Sequence, residues 1–414
     1  MPSCPLSAPS GDALSIDPDL RVVWVSPSYG YGGDLLYFKG LFETFCVRFP
    51  ATRIFVDPAV HYREAAQLPL VPGLSGWLID RNRLVGGAAY NAGVHIPSPR
   101  FAWQLIAARP QLAITIEFTL ASLAAIALSS WGRGFAVLLL VEGDPAARGG
   151  SSNRLVLGLK RWACRRAHAI QTSNVSGRQF LIEQLHADPA KIRVAPYLTS
   201  APPRPARAIA RSDPRLHLLF ANSLTPRKGA AALIAGIALL PPALARRIRL
   251  TIVGDGPERA ELESAASHID GTEVRFVGAR AYASLGQYYA DADVLAVPSH
   301  ADYRSLAGFE GLAYGLALLA SRHDGASAET LDGGATGFGI DPRDPATIAD
   351  ALRRLLEEPA LLSRCQAAAA ELFAERFSYE RIVDSLAGSV QAAIARRRAG
   401  SAGNRSSGRQ PSDK

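Results

Sequence analysis

Lysine is scarce in this chain. Five lysines (Lys39, Lys160, Lys191, Lys228 and Lys414) stand among 45 basic residues, and the other cations are all arginine. Methionine occurs once, and four cysteines (Cys4, Cys46, Cys164, Cys365) lie far apart without a CxxC pair. That spacing excludes a disulfide-stapled fold and a cysteine-ligated metal centre, and it fits packed thiols in a reducing cytosol. A long apolar run is also missing. A membrane-crossing helix needs about 20 mostly apolar residues. The best stretch, Leu112–Val141, is interrupted by Glu117 and broken again at Ser129–Gly134. It reads as strand, helix and strand in a buried layer. Met1–Pro18 carries no basic segment followed by an apolar core, so it is not a secretory signal. The expected location is the cytoplasm, with at most peripheral contact at the inner face of the cell membrane.

What is present is enough for sizeable cores: 414 residues, 48% of them hydrophobic, with a formal charge of +8. This length suggests two domains. The arginine excess, with 36 Gly and 28 Pro, reads as drift in a GC-rich coding sequence. Its clusters fall largely in a linker and a tail rather than in one stripe, which argues against a nucleic-acid partner. Arg21–Pro27 is a strand that leads through a glycine loop, Ser28–Gly33, into a helix. Strands and helices then alternate to about residue 199. Ser200–Arg215, with four prolines and four arginines, interrupts the alternation as a linker. A second alternating block follows. Alternation of this kind implies parallel sheets, so the fold class is α/β with two doubly wound domains. The expected divisions are an extension over 1–20, a first domain over 21–199, the linker over 200–215, a second domain over 216–376, a terminal helix over 377–395 and a disordered basic tail over 396–414.

The second block carries the chemistry. Leu219–Gly229 (LFANSLTPRKG) is a strand, a turn, and then Arg227, Lys228 and Gly229 opening a helix. Unpaired N–H groups at a helix start, joined by two fixed cations, suit a diphosphate, and arginine grips oxyanions in a bidentate way. Standing alone, the segment is as readily a solvated turn. Val253–Pro257 (VGDGP) reads as a structural turn, its glycines permitting the bend. In Pro298–Ser321, Asp302 follows a strand and Glu310 lies eight residues on, in the next helix. Both fall at the carboxyl edge of a parallel sheet, where ligands bind. Carboxylates accept the paired hydroxyls of a ribose or sugar ring, and the N–H groups of Ser305, Leu306 and Ala307 are placed to meet a phosphate.

Taken in order, these segments resemble family 4 of the retaining, nucleotide-sugar-dependent glycosyltransferases, enzymes of the GT-B fold. The elements that carry the resemblance include Pro226–Gly229, Val253–Pro257, Phe276–Gly278, Tyr289–Ser299 (YADADVLAVPS), the Asp302/Glu310 pair, and Phe377–Ile382 (FSYERI); the resemblance as a whole covers roughly residues 20–395. The resemblance implies two Rossmann-like domains facing across a cleft, with the C-terminal helix crossing back to the first. It implies that Arg227 and Lys228 hold the donor diphosphate, that Glu310 binds the ribose hydroxyls, and that Asp302 contacts the transferred sugar. The turn of Phe276, Gly278 and Ala279 would lie along the base. The backbone of Gly32 and Gly33 would approach the phosphates.

Three positions depart from the family's pattern. Asp302 stands where a glutamate is usual, Ser223 stands where a phosphate-binding arginine is common, and Glu142 aligns with a first-domain histidine near the sugar. Ser223 still donates a hydrogen bond, and Glu142 serves either the sugar and acceptor or its own loop. Retaining transfer in this fold proceeds without an enzyme nucleophile, by positioning and by stabilising the departing diphosphate. No metal is therefore expected. The implied reaction moves a hexosyl group from a nucleotide-diphosphate sugar to a glycan or lipid-linked saccharide in bacterial surface polysaccharide or glycolipid synthesis. The basic amphipathic stretch Arg154–Arg166 suits contact with an anionic membrane. Two alternatives share the fold: a binding-only relative, and a sugar-nucleotide epimerase, for which the chain lacks a visible acid/base cluster.

Overall fold

The computed structural model describes residues 17, 19–25, 36–56, 67–80, 93–142, 154–206 and 213–406. The chain divides into two compact units, Met1–Leu198 with Ile382–Lys414, and Thr199–Arg381.

In the first unit the elements follow in the order β1 (Val22–Val25), α1 (Leu36–Arg48), β2 (Thr52–Val56), β3 (Leu70–Pro72), β4 (Ser75–Asp80), β5 (Gly93–Pro97) and α2 (Pro99–Ala107). Next come β6 (Leu112–Ile116), α3 (Leu120–Leu128), β7 (Ala136–Val141), α4 (Arg154–Arg166), β8 (Ala169–Thr172), α5 (Val175–Glu183) and β9 (Ile192–Val194). Seven strands form one parallel sheet in the order β3-β2-β1-β6-β7-β8-β9, while β4 and β5 pair as an antiparallel hairpin. Strands β1, β6, β7 and β8 are buried along their whole length. They read as continuous apolar runs because helices cover both faces of the sheet. Leu112–Val141 is thus strand, helix and strand, as its interruptions indicate, and among the described residues no helix is long and apolar enough to cross a membrane. Helix starts are set locally: the side chains of Ser98, Thr119 and Asn174 each accept a backbone N–H three residues on, the N-cap arrangement that these residues favour.

The second unit contains β10 (Leu216–Ala221), α6 (Ala230–Ala238), α7 (Pro242–Ala245), β11 (Ile248–Val253), α8 (Arg259–Ala266), β12 (Glu273–Gly278) and α9 (Tyr282–Ala290). It continues with β13 (Val294–Val297), α10 (Leu306–Ala313), β14 (Ala317–Ser321), α11 (Ser327–Thr330), β15 (Gly337–Ile340), α12 (Pro345–Glu357) and α13 (Pro359–Leu372). Its six parallel strands run in the order β12-β11-β10-β13-β14-β15. Two apolar clusters fill the faces of this sheet, one holding Phe220, Leu233 and Leu352, the other Tyr289, Phe309 and Phe377. The strand order reverses direction between β10 and β13. In doubly wound sheets such a reversal marks the ligand crevice at the carboxyl edge. In the first sheet the same reversal falls between β1 and β6.

Two segments differ from their expected character. The proline-rich stretch expected to be an inter-domain linker is fastened to the second unit at its start. Ser200 is buried, the Tyr314 hydroxyl donates to the carbonyls of Pro202 and Pro203 at 2.9 Å each, and Arg204 reaches the Ala313 carbonyl at 2.7 Å while lying over the Tyr314 ring. Prolines lack an N–H but keep their carbonyls, so a proline run still offers acceptors. At the other end, α14 (Tyr379–Ser406) remains helical through the first part of the tail expected to be disordered. Alanine and arginine are strong helix formers. Arg396 also donates to the carbonyls of His168 and Ala190, and Gln171 donates to Ser385 at 3.1 Å, which fixes the helix against the first sheet.

The glycines of the VGDGP turn are dictated by close approach. A Cβ at Gly254 (φ +148°) would lie 1.8 Å from the Asn222 carbonyl oxygen, and one at Gly256 would lie 2.3 Å from that of Leu224. Gly254→Ala combines this clash with a backbone conformation that L residues avoid, so it should destabilise the second unit by roughly 2 kcal/mol or more. Urea denaturation checks this, and an unchanged midpoint contradicts it.

Candidate functional site

The turn after β10 places two cations at the point where the strand order reverses. Pro226–Lys228 forms a single 3-10 turn that ends at Gly229 (φ +73°) and runs into α6. A Cβ at Gly229 would stand 1.9 Å from the Pro298 carbonyl oxygen. Glycine is what lets this turn close onto the loop after β13, and the Arg227 carbonyl accepts the His300 N–H at 2.8 Å. The two loops are thereby locked side by side.

Across that contact stands Asp302. Its Oδ2 accepts Lys228 Nζ at 2.6 Å and Arg227 Nη1 at 2.9 Å, and its Oδ1 accepts the Tyr303 N–H at 2.9 Å. The carboxylate is 3% exposed, whereas Lys228 is 11% and Arg227 36% exposed. Burial pushes the Asp302 carboxyl up, but Lys228 and Arg227 outweigh it and hold the group below its ordinary range. Asp302 therefore anchors the cation pair. One carboxylate oxygen accepts from both cations and so fixes their positions relative to each other.

Glu310 lies in the second turn of α10 and is fully buried. Its Oε1 accepts the Ser200 hydroxyl at 2.8 Å, its Oε2 accepts the Tyr289 hydroxyl, and Ser200 is joined in turn to Tyr282. Burial raises its pKa. A carboxylate has about four acceptor positions, so these hydroxyls leave capacity for a further diol. Ser305 is the N-cap of α10, with Leu306 and Ala307 in its first turn. The Ser305 N–H, expected to face a phosphate, donates to Asp324 Oδ1 at 3.1 Å.

The remaining residues distribute as follows. Ser223 is exposed in the turn after β10. Gly278 ends β12 with φ +78°, and its carbonyl accepts the Gly254 N–H at 3.0 Å. Ala279 beside it is exposed, but the Phe276 side chain packs against the core of the second unit. In the first unit Glu142 follows β7, and its N–H donates to Glu117 Oε1 at 2.6 Å. Gly32 and Gly33 lie outside the described residues. The structure thus brings Arg227, Lys228 and Asp302 into direct contact, with Glu310, Ser305, Leu306 and Ala307 on the adjoining helix.

Four further residues escape the sequence reading. Asp324, after β14, caps the start of α10 by accepting from Ser305 and Ala326. Burial, and then the Asp302 charge, push its carboxyl up to about 6. Arg304 is buried against Phe309 and forms a two-point pair with Glu329 at 3.0 Å. Glu117 is buried at the reversal point of the first sheet, with φ +55°. Its one sequence signal is a charge in an otherwise apolar run. Among the described residues, no group of three or more His, Cys, Asp or Glu could hold a metal ion.

With this geometry in view, the comparisons are specific. A family model described as "Glycosyl transferases group 1" matches residues 206–372. A D-inositol 3-phosphate glycosyltransferase of Kineococcus radiotolerans is 31% identical over 249 residues, covering 53% of this chain and 55% of that protein. The chain thus matches about half the length of such curated relatives. Among solved structures, Anabaena HepE in complex with UDP superposes with a TM-score of 0.68 at 15% identity, covering 90% of this chain and 100% of that one. Sucrose-phosphate synthase from Thermosynechococcus elongatus gives 0.69 at 19% identity, covering 91% and 99%. These structural likenesses establish the GT-B fold.

Asp324→Asn keeps an acceptor for both N–H groups and removes the buried charge. With a folded pKa near 6 against an ordinary 3.8, the folded state binds the proton more tightly, so stability falls as pH rises between these values. The variant should melt higher than the parent above pH 6, and the gap should narrow as pH drops towards 4. A gap that is constant from pH 4 to 8 contradicts this assignment.

Proposed function

We propose, from the match of residues 206–372 to the glycosyl transferases group 1 model, that the chain is a retaining hexosyltransferase that uses a nucleotide-diphosphate sugar. The observation that carries the proposal is the Arg227–Lys228 pair, tethered by Asp302 at the reversal point of the second sheet. The donor diphosphate meets the two cations on their exposed side. Lys228, the less exposed, takes the phosphate nearer the sheet, and the planar fork of Arg227 takes the outer one. As the bond from sugar to phosphate breaks, negative charge grows on the departing oxygens. A clamp already fixed by Asp302 stabilises that charge without rearranging. Glu310 receives the ribose hydroxyls alongside those of Ser200 and Tyr289. Glu142, in the first unit, serves the sugar or acceptor. HepE, solved with UDP, makes uridine the first base to test.

The acceptor is a glycan or a lipid-linked saccharide, placing the reaction in bacterial surface polysaccharide or glycolipid synthesis. In support of a membrane-borne acceptor, α4 exposes Leu155 (79%) and Leu159 (50%) beside several cations. Such a helix lies on anionic lipid, by apolar insertion and by attraction that salt screens.

Two measurements test these readings. UDP- and GDP-sugars should raise Tm, since a ligand that binds only the native state stabilises it. The shift should survive EDTA and should be largely abolished in Lys228→Ala and Glu310→Ala; variants that respond like the parent refute the site. Release of nucleoside diphosphate with donor and acceptor present separates a transferase from a binding-only relative, and the unchanged donor sugar recovered from donor alone separates it from an epimerase. For the membrane contact, the protein should sediment with anionic vesicles at low salt and leave them at high salt. Full recovery in the supernatant at low salt refutes it.

A further inference from the structure

The first unit contains a second concentration of cations that the donor reading does not use. A cavity of about 320 Å³ opens between α4, α14 and the turns that lead into β7, β8 and β9. Arg165 and Arg166 line it from the last turn of α4, Lys191 from the turn before β9, and Arg396 and Arg397 from α14. Among the described residues no carboxylate lines it. His168, also in its wall, accepts the Val137 N–H at 3.1 Å through Nδ1. Burial, then the charges of Arg397 and Lys191, lower its pKa to about 4, so it is neutral near pH 7.

The cations are held in place by neutral groups. Lys191 donates to the carbonyls of Arg165 and Ala167 at 2.9 and 3.1 Å, and Arg396 to those of His168 and Ala190. Among the described residues, Arg165, Arg166, Lys191 and Arg396 make no ion pair within 4 Å. Asp188, the acid whose charge Lys191 senses, spends its Oδ1 on capping the turn at Ala190. A cation at a helix C-terminus is favourable in its own right, which accounts for Lys191. That effect does not account for Arg165, Arg166 and Arg396 converging on the same space, since like charges repel unless an anion stands between them. The hydroxyls of Ser129 and Ser130, also at the cavity, already donate to the carbonyls of Phe135 and Ile126. Recognition is left to the guanidinium groups, whose planar forks match phosphate oxygens.

The cavity is separate from the transfer site. Its wall residues immediately precede β7, β8 and β9, at the amino edge of the sheet, whereas Glu142 follows β7 at the carboxyl edge. Six residues of strand lie between, or about 20 Å at the usual rise.

We propose that this cavity is a second anion site, taking a phosphate group from a soluble phosphate or from a lipid headgroup and joining α14 to the first sheet through it. Such a ligand would bridge Arg396 to Arg165 and Arg166, so its binding would hold the terminal helix down.

Calorimetric titration of the full chain with inorganic phosphate, at fixed ionic strength, tests the proposal. Lys228→Ala weakens the separate clamp in the other unit but should leave phosphate binding at this cavity, so the variants below are compared in that background. The double variant Arg165→Ala/Arg166→Ala should lose at least tenfold in affinity. Both side chains are exposed, so its Tm without phosphate should match that of Lys228→Ala alone. Arg166→Lys, which keeps the charge but not the fork, should lose less. If the double variant binds within twofold of Lys228→Ala alone, or if Lys228→Ala abolishes binding, the proposal fails. Sedimentation with phosphatidylglycerol against phosphatidylcholine vesicles identifies the source. A loss of phosphatidylglycerol binding in Arg396→Ala, which lines the cavity from outside α4, assigns a lipid headgroup, and unchanged vesicle binding alongside lost phosphate binding assigns a soluble phosphate.

Discussion

A single buried carboxylate organises the second unit's candidate site. Asp302 sits beneath Lys228 and Arg227 and accepts from both through the same oxygen. Two cations side by side on one turn repel each other, and in solution their long side chains would spread into water. The shared anion holds them together and pre-orders them. Burial makes this arrangement strict. A carboxylate 3% exposed cannot recover its hydration if the cations leave, and breaking such a pair from one side costs about 3–5 kcal/mol. The loop after β13, the turn after β10 and the start of α10 are therefore coupled through one side chain.

That coupling rests on backbone contacts with no tolerance for extra atoms. Gly229 lies directly against the Pro298 carbonyl, and Gly254 against that of Asn222. Around Asp302 is a second layer of charge: Asp324 caps α10, and Arg304 pairs with Glu329 while covering Phe309. Asp302 and Asp324 are near neighbours with opposite titration tendencies, because only the first has cations at hydrogen-bond distance. The same chemistry, a short acidic side chain at a sheet edge, is thus divided into a charged anchor and an acid that resists ionisation.

Much of the fold was legible in the sequence. Apolar runs separated by helical stretches mark parallel strands covered on both faces, and β10, β11, β13 and β14 fall where that pattern puts them. The hairpin β4/β5 and the edge strands β3 and β15 were not legible. Leu70–Pro72 contains a proline and Gly337–Ile340 two glycines, which signal turns locally and become strands only when a sheet edge pairs with them. The beginning of the linker and the course of the tail were likewise decided by partners distant in sequence: Tyr314 for the prolines, and His168 and Ala190 for Arg396.

The sequence by itself determined which residue types carry the site, because a strand, a turn, Arg227-Lys228-Gly229 and a helix can be read along the chain. The spacing of Asp302 and Glu310 across the next strand and helix is read in the same way. Tertiary structure decided what these residues do to one another. Asp302 and Lys228 are 74 positions apart, and Ser200 and Glu310 are 110 apart; no local pattern encodes either contact. Only the strand order, with β13 folded beside β10, turns an acid and two bases into one charged unit. Only the packing of the linker's first residues gives Glu310 its hydroxyl partner. The lysine scarcity points the same way: Lys191 and Lys228 are alike in sequence, yet the fold gives one to helix-end carbonyls and the other to a buried carboxylate.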